Sequence, residues 1–130
     1  MLTEPEKVAE FVERTGVDAL AVSIGTAHGV YVKAPKLDIE RLDKITAVSD
    51  IPLVLHGGSG TPLPAVRESI RCGIAKINIA TEYMDTYLKS SRAELEKLNG
   101  KFLPVDKYFD PVVDACAAHA ARLILFFAGK

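Results

Sequence analysis

Three short apolar runs, at 18–24, 52–55 and 74–79, alternate with segments whose apolar residues return every three or four positions. Such runs, bounded by turn residues, read as strands buried on both faces. Strands that alternate with helices imply right-handed parallel βαβ crossovers, with the helices covering the sheet. The spacing predicts a first helix opened by Thr3-Glu4-Pro5-Glu6, with Thr3 and Glu6 at capping-box separation. Val8, Phe11 and Val12 form its apolar stripe and Gly16 its stop. A second helix starts at Leu37-Asp38, carries Ile39, Leu42, Ile45 and Val48, and ends at Asp50-Ile51-Pro52. Thr61-Pro62 caps a third, with Leu63, Val66 and Ile70, which Gly73 closes. A long helix follows from Thr81 to about Leu98, Asn99-Gly100 breaks it, and a last helix runs from Asp110-Pro111 to about Phe127.

With 130 residues the chain has room for one domain. A closed (β/α)8 barrel typically takes about 250 residues, so three strands are under half of one. A small open three-layer sheet fits the same pattern, and periodicity does not choose between them. The 48% hydrophobic and 25% charged content excludes a disordered tail. Sixteen Lys+Arg against 17 Asp+Glu gives no electrostatic reason to expect nucleic acid or an anionic membrane as partner. The longest apolar run, 115–127, contains His119 and Arg122 and is too short to span a bilayer. Cys72 and Cys116 are too few for a disulfide framework, and MLTEPEKVAE has no basic-then-apolar leader, so a cytoplasmic location is expected.

His28, His56 and Asn78 fall at or just past the C-terminal ends of the three strands. In parallel α/β folds that edge carries the ligand-binding loops, so the three groups should converge. Each histidine is followed by glycine, which lets the backbone pass close to a bound group. Imidazole is the commonest metal ligand near neutral pH. A catalytic zinc needs about three protein ligands, however, and two loop histidines read as readily as hydrogen-bonded turn residues. Cys72 ends the third helix at the opposite edge and cannot complete the set, and His119 lies in the last helix, away from this pattern.

Gly57-Gly58-Ser59-Gly60 and Ile79-Ala80-Thr81 each join a strand to a helix start. Amides at such junctions suit a phosphate, with Ser59 and Thr81 adding hydroxyls; a tight turn and a helix cap use the same residues. Alternation puts Ile74, Lys76 and Asn78 on one strand face. An inward Lys76 is a candidate Schiff-base nucleophile, but pairing with a carboxylate is the favoured reading.

Taken together, Ile24-Gly-Thr-Ala-His-Gly29, Val54-Leu-His-Gly-Gly-Ser-Gly60 and Lys76-Ile-Asn-Ile-Ala-Thr81 resemble the class II, metal-dependent fructose- and tagatose-bisphosphate aldolases. Tyr31 and Pro35-Lys36-Leu37-Asp38 extend the match, which runs over nearly the whole chain. The resemblance implies an α/β fold, a partial TIM barrel made of the last three βα units plus a C-terminal helix, so that residues 1–130 are the C-terminal portion of the barrel. It implies His28 and His56 as two of three zinc ligands. Gly29, Gly57, Gly58, Ser59, Asn78, Ile79, Ala80 and Thr81 become the residues that hold dihydroxyacetone phosphate or a ketose bisphosphate. Asn78 also acquires a catalytic role at the ketose oxygens. Fructose-type enzymes often carry Asp where this chain has Ala80, which leans toward the tagatose-bisphosphate branch.

The third zinc histidine and the adjacent catalytic aspartate come, in such aldolases, from an Asp-His pair on an earlier strand. No Asp-His dipeptide occurs in this sequence. A C-terminal fragment or a truncated gene product is therefore expected, inactive alone, from a family whose intact members are homo-oligomers. Open sheet edges would make such a piece aggregate, unfold or find a partner. The alternative is a non-catalytic, sugar-phosphate-binding half-barrel that pairs with another chain. In the last helix, Val112, Val113, Cys116, Ala120, Leu123, Ile124 and Phe127 form an apolar stripe expected to pack on a helical shell.

Overall fold

The computed structural model describes residues 2–27, 29 and 31–129. A 3-10 turn (Pro5–Lys7) leads into α1 (Val8–Thr15), followed by β1 (Leu20–Val22), α2 (Ile39–Thr46), β2 (Leu53–Leu55), α3 (Leu63–Arg71), β3 (Ile74–Ile77), α4 (Thr81–Leu98) and α5 (Val105–Phe127). The chain divides into two compact units, Met1–Ala80 and Thr81–Lys130.

In the first unit the strands form a parallel sheet in the order β1-β2-β3. All three residues of β2 are buried, as the middle strand of a covered parallel sheet requires. Val22, Leu53, Leu55 and Ile74 from the strands are buried, as are Leu42, Ile45 and Val66 from α2 and α3. β1 and β2 run in step, Leu20 beside Leu53 and Val22 beside Leu55. Between β2 and β3 the register slips: Leu53 pairs with Ile74 but Val54 with Lys76. The extra residue, Ala75, turns Ile74 and Lys76 to opposite faces, because one inserted residue inverts the alternation. Ile74 is buried and Lys76 exposed, so the expected shared face holds for Lys76 and Asn78 but not for Ile74.

Two expected caps are used differently. Thr3 makes no capping box: its N–H donates to Ser23 O (2.9 Å) and its Oγ1 accepts from Ser23 N–H (2.8 Å). This reciprocal pair fastens the N-terminal segment to the residue after β1, and it takes the hydroxyl away from the helix. Thr61 Oγ1 donates to Gly57 O (3.1 Å), across the turn and away from α3, whose N-cap residue is Pro62 and makes no side-chain cap. At the start of α2 the prediction and the structure agree, whereas the helix ends at Thr46, short of the expected Asp50-Ile51-Pro52, and leaves Val48 beyond it and exposed. Asp38 Oδ1 accepts from Arg41 N–H and Oδ2 from Arg41 Nε, both at 3.0 Å, and Arg41 Nη1 reaches Thr3 O at 2.8 Å. The Arg41 amide first, and then its guanidinium, hold the Asp38 carboxyl below the ordinary aspartate range.

In the second unit α4 packs against α5. Asn99 (φ 45°) and Gly100 (φ 76°) break the chain after α4 as predicted. α5, however, begins at Val105, after Pro104, and Pro111 sits inside it rather than at its first turn. A proline there forgoes one i→i−4 hydrogen bond. The apolar stripe is narrower than the sequence suggests: Val112, Cys116 and Leu123 are buried, Ala120 and Phe127 half-buried, while Val113 and Ile124 are exposed. His119 lies in the same seam, its Nε2 buried, without a hydrogen-bond partner among the described residues and 3.9 Å from Glu82 Oε1.

Leu55→Ala should destabilise the chain by about 2–5 kcal/mol in urea denaturation, the usual cost of emptying a closed core position. Asp38→Asn keeps a capping oxygen and removes the charge. Because a depressed carboxyl stabilises the fold above its ordinary pKa and stops doing so as pH falls through the folded value, wild type should be more stable than Asp38→Asn at pH 7. The difference should begin to shrink as melts are carried below about pH 4 and vanish only below the still lower folded value.

Candidate active site

The site is built on the turn that follows β2. Asn78 N–H donates to Leu55 O (2.9 Å), which carries the β2–β3 ladder one residue beyond β3, and Gly58 N–H donates to Asn78 O (3.1 Å). The turn therefore lies directly on the Asn78–Ala80 segment. A Cβ on Gly58 would stand 2.7 Å from Ile77 Cγ2, 2.8 Å from Ile79 Cδ1 and 3.0 Å from Asn78 O, so the approach admits no side chain. Ser59 is buried and its Oγ accepts from Ala80 N–H (3.1 Å). These two groups, both assigned from sequence to a phosphate, bind each other here. Gly57 has φ +66°, and a methyl group on it would collide with Ala27 O. Its handedness and the lack of space both demand glycine.

Asn78 links the two other polar side chains of this edge. Its Nδ2 lies 3.3 Å from His56 Nδ1 and 3.4 Å from His56 Nε2. Near-equal distances to both ring nitrogens mean that the amide lies across the imidazole face, since a bond aimed in the ring plane at one nitrogen would leave the other far away. On its other side Asn78 Oδ1 accepts from Lys76 Nζ. An ammonium has donors only, so it fixes the amide with its oxygen toward Lys76 and its NH2 toward His56. The carboxylate partner expected for Lys76 is thus replaced by an amide oxygen, and the lysine is exposed rather than enclosed.

The loop after β1 reaches the same place. Thr26 Oγ1 donates to His56 O (2.6 Å), and the Tyr31 hydroxyl lies 3.0 Å from Gly57 O. Gly29 sits in this loop with φ +98° and, among the described residues other than its chain neighbours, nothing within 4 Å of a Cβ position. His28, the other predicted metal ligand, lies outside the described residues, as does Val30. Thr81, the remaining predicted phosphate residue, is the first residue of α4 and belongs to the second unit.

His56 has the donor chemistry of a zinc ligand and is exposed. Among the described residues, no group of three or more His, Cys, Asp or Glu side chains is placed to hold a metal ion. These residues thus supply one imidazole of a donor set that would need others. Burial first, and then the Asp43 carboxylate, push the Cys72 thiol up, which favours its protonated form. Tyr31 and Thr26 were not marked as functional by their spacing. Their roles come from hydroxyls that cross between loops, and neither residue type signals such a bond from sequence.

The chain matches the family model described as fructose-bisphosphate aldolase class-II over residues 1–130. It belongs to that family. Among solved structures it is similar to the YdjI aldolase of Escherichia coli K12, with 34% identity and a TM-score of 0.81 over 96% of this chain and 44% of that one. It is similar also to a fructose-bisphosphate aldolase of Campylobacter jejuni, at 29% identity and TM-score 0.68, over 98% of this chain and 45% of that one. The chain thus spans less than half the length of these relatives.

Gly58→Ala should destabilise the chain by about 1–3 kcal/mol in chemical denaturation, as overpacking does where backbone and branched side chains must both yield. Lys76→Met should leave stability within about 1 kcal/mol, as for other exposed charged contacts. It should nevertheless shift and broaden the Asn78 side-chain NH2 resonances, because the amide loses the partner that sets its orientation.

Proposed function

We propose that residues 1–130 are the C-terminal portion of a class II ketose-bisphosphate aldolase barrel, contributing its last three βα units. The reaction is the reversible cleavage of fructose or tagatose 1,6-bisphosphate to dihydroxyacetone phosphate and glyceraldehyde 3-phosphate. The observation that carries this reading is the contact of Asn78 with the His56 ring, beside a glycine turn hydrogen-bonded to the Asn78–Ala80 segment. Three strand ends so arranged support a shared site at the edge where parallel α/β folds bind ligands.

In this reading the backbone of Gly29, Gly57, Ser59 and Ile79, with the Thr81 hydroxyl, binds a phosphate group, while the Gly58 and Ala80 amides, which donate to Asn78 O and Ser59 Oγ, hold the turn that presents them. The energy gained there orients the distant reacting carbons. With its oxygen engaged by Lys76, Asn78 is left to donate through its NH2, which suits a ketose oxygen that gains negative charge. His28 and His56 would hold two coordination positions of a zinc ion, with a further histidine supplied from outside these residues. Zinc, when bound, supplies Lewis acidity toward a carbonyl oxygen. Ala80 favours the tagatose-bisphosphate branch, and a cytoplasmic homo-oligomer is the form expected of the intact enzyme.

No Asp-His pair is present to provide the remaining ligand and the acid. Positioned acid–base groups are each worth about 10²–10⁴ in rate, so the 130-residue chain with zinc should show negligible cleavage of either bisphosphate. Titration with dihydroxyacetone phosphate should still move the amide resonances of 57–59 and 78–81. Turnover by this chain alone would overturn the divided site, and unmoved amides would overturn the phosphate assignment.

A second reading, a non-catalytic sugar-phosphate-binding half-barrel that pairs with another chain, is favoured by a cleft of about 410 Å³ beside β1. Leu2, Val8, Phe11, Leu20 and Ala21 supply its apolar lining. An association that persists at micromolar concentration in light scattering, with phosphate binding and no turnover in the assembled form, would support it.

A further inference from the structure

We infer that Tyr31 is a positioning residue, whose single phenolic oxygen sets the loop after β1 onto the glycine turn after β2. This rests on the reading that those two loops carry the site. Three hydrogen-bonding groups surround the oxygen. Ala27 N–H donates to it at 2.8 Å, and the carbonyl oxygens of Ala27 and Gly57 lie 2.6 and 3.0 Å away. A phenol has one proton and accepts through its lone pairs. Its acceptor side is thus committed to the first loop, while its proton has one acceptor in each loop to share.

The ring takes part as well. A Cβ on Gly60 would lie 3.3 Å from Tyr31 Cδ2, and one on Gly57 would lie 3.0 Å from the Tyr31 oxygen. The glycine turn is therefore pressed against this side chain over the length of its ring, with the oxygen end at Gly57 and the ring edge at Gly60. Gly57 O accepts from Thr61 Oγ1 too, so the carbonyl on which the first loop leans is itself held from within the turn. Thr26 Oγ1 on His56 O makes a second crossing, five residues before Tyr31. Tyr31 and Thr26 so bracket the stretch that carries Gly29, and they fix both of its ends on the backbone of 56–57.

Tyr31→Phe separates the oxygen from the ring, because phenylalanine keeps the packing on Gly57 and Gly60 and loses only the hydrogen bonds. Amide hydrogen exchange on the whole 130-residue chain reads this without any ligand. Tyr31→Phe should keep its melting temperature within a few degrees of wild type, while the Ala27 amide exchanges at least ~10-fold faster, the change expected when a local opening is no longer opposed. Inorganic phosphate, followed by the 57–59 amide resonances, should bind several-fold more weakly. Tyr31→Leu should lose both properties. Exchange at Ala27 that is equal in wild type and Tyr31→Phe, with only Tyr31→Leu altered, would assign the residue to packing and overturn the inference. An unprotected Ala27 amide in the wild-type chain would overturn it also. If wild type binds no phosphate while the exchange result holds, the positioning role of Tyr31 stands and the proposed phosphate site falls.

Discussion

The closeness of the backbone after β2 to the backbone after β3 is the constraint on which the site depends. Gly58 lies against Ile77, Ile79 and the Asn78 carbonyl with no volume for a Cβ, and two hydrogen bonds, Asn78 N–H to Leu55 O and Gly58 N–H to Asn78 O, hold the segments together. From that contact follow the Ser59–Ala80 bond and the placing of the Asn78 amide on the His56 ring. Neither side chain needs a long reach, because the main chains have already met. This is the reason that short polar residues can organise an edge that the described strands enter with only three or four residues each.

Much of the architecture was legible because it follows from periodicity. Continuous apolar runs gave three parallel strands, and the 3.6-residue recurrence gave the helices between them. α4 matches its predicted limits, Thr81 to Leu98, because an uninterrupted helical segment begins at Thr81 and an Asn-Gly break ends it. Two of the misreadings share a cause, a capping motif overruled by a bond to backbone outside the helix. Thr3 had capping-box spacing but found Ser23, twenty residues on, and Thr61 turned to the Gly57 carbonyl instead of the helix after it. Pro111 looked like a helix start because proline favours that position, yet Pro104 and the apolar residues after it begin the helix earlier.

The candidate site shows the same division. His56 and Asn78 were recognisable from their places at strand ends, and the structure brings their side chains together. The partner of Lys76 lies two residues on, on the face that alternation already shared between Lys76 and Asn78, whereas the register slip at Ala75, which no composition marks, displaces Ile74. Ser59 and Ala80 were rightly grouped in space, but their mutual bond is invisible to an argument that considers each as a donor for something else. A sequence lists capacities for bonding; only the fold decides which capacities cancel.

Gly29 and Gly58 are both glycines of this edge, for unlike reasons. At Gly29 there is open room and a positive φ, whereas at Gly58 what is lacking is volume. The first position is thus a matter of chirality and the second of bulk. A mirror-image alanine introduced by chemical synthesis would suit the handedness at Gly29, whereas at Gly58 an ordinary alanine methyl would meet Ile77, Ile79 and the Asn78 carbonyl.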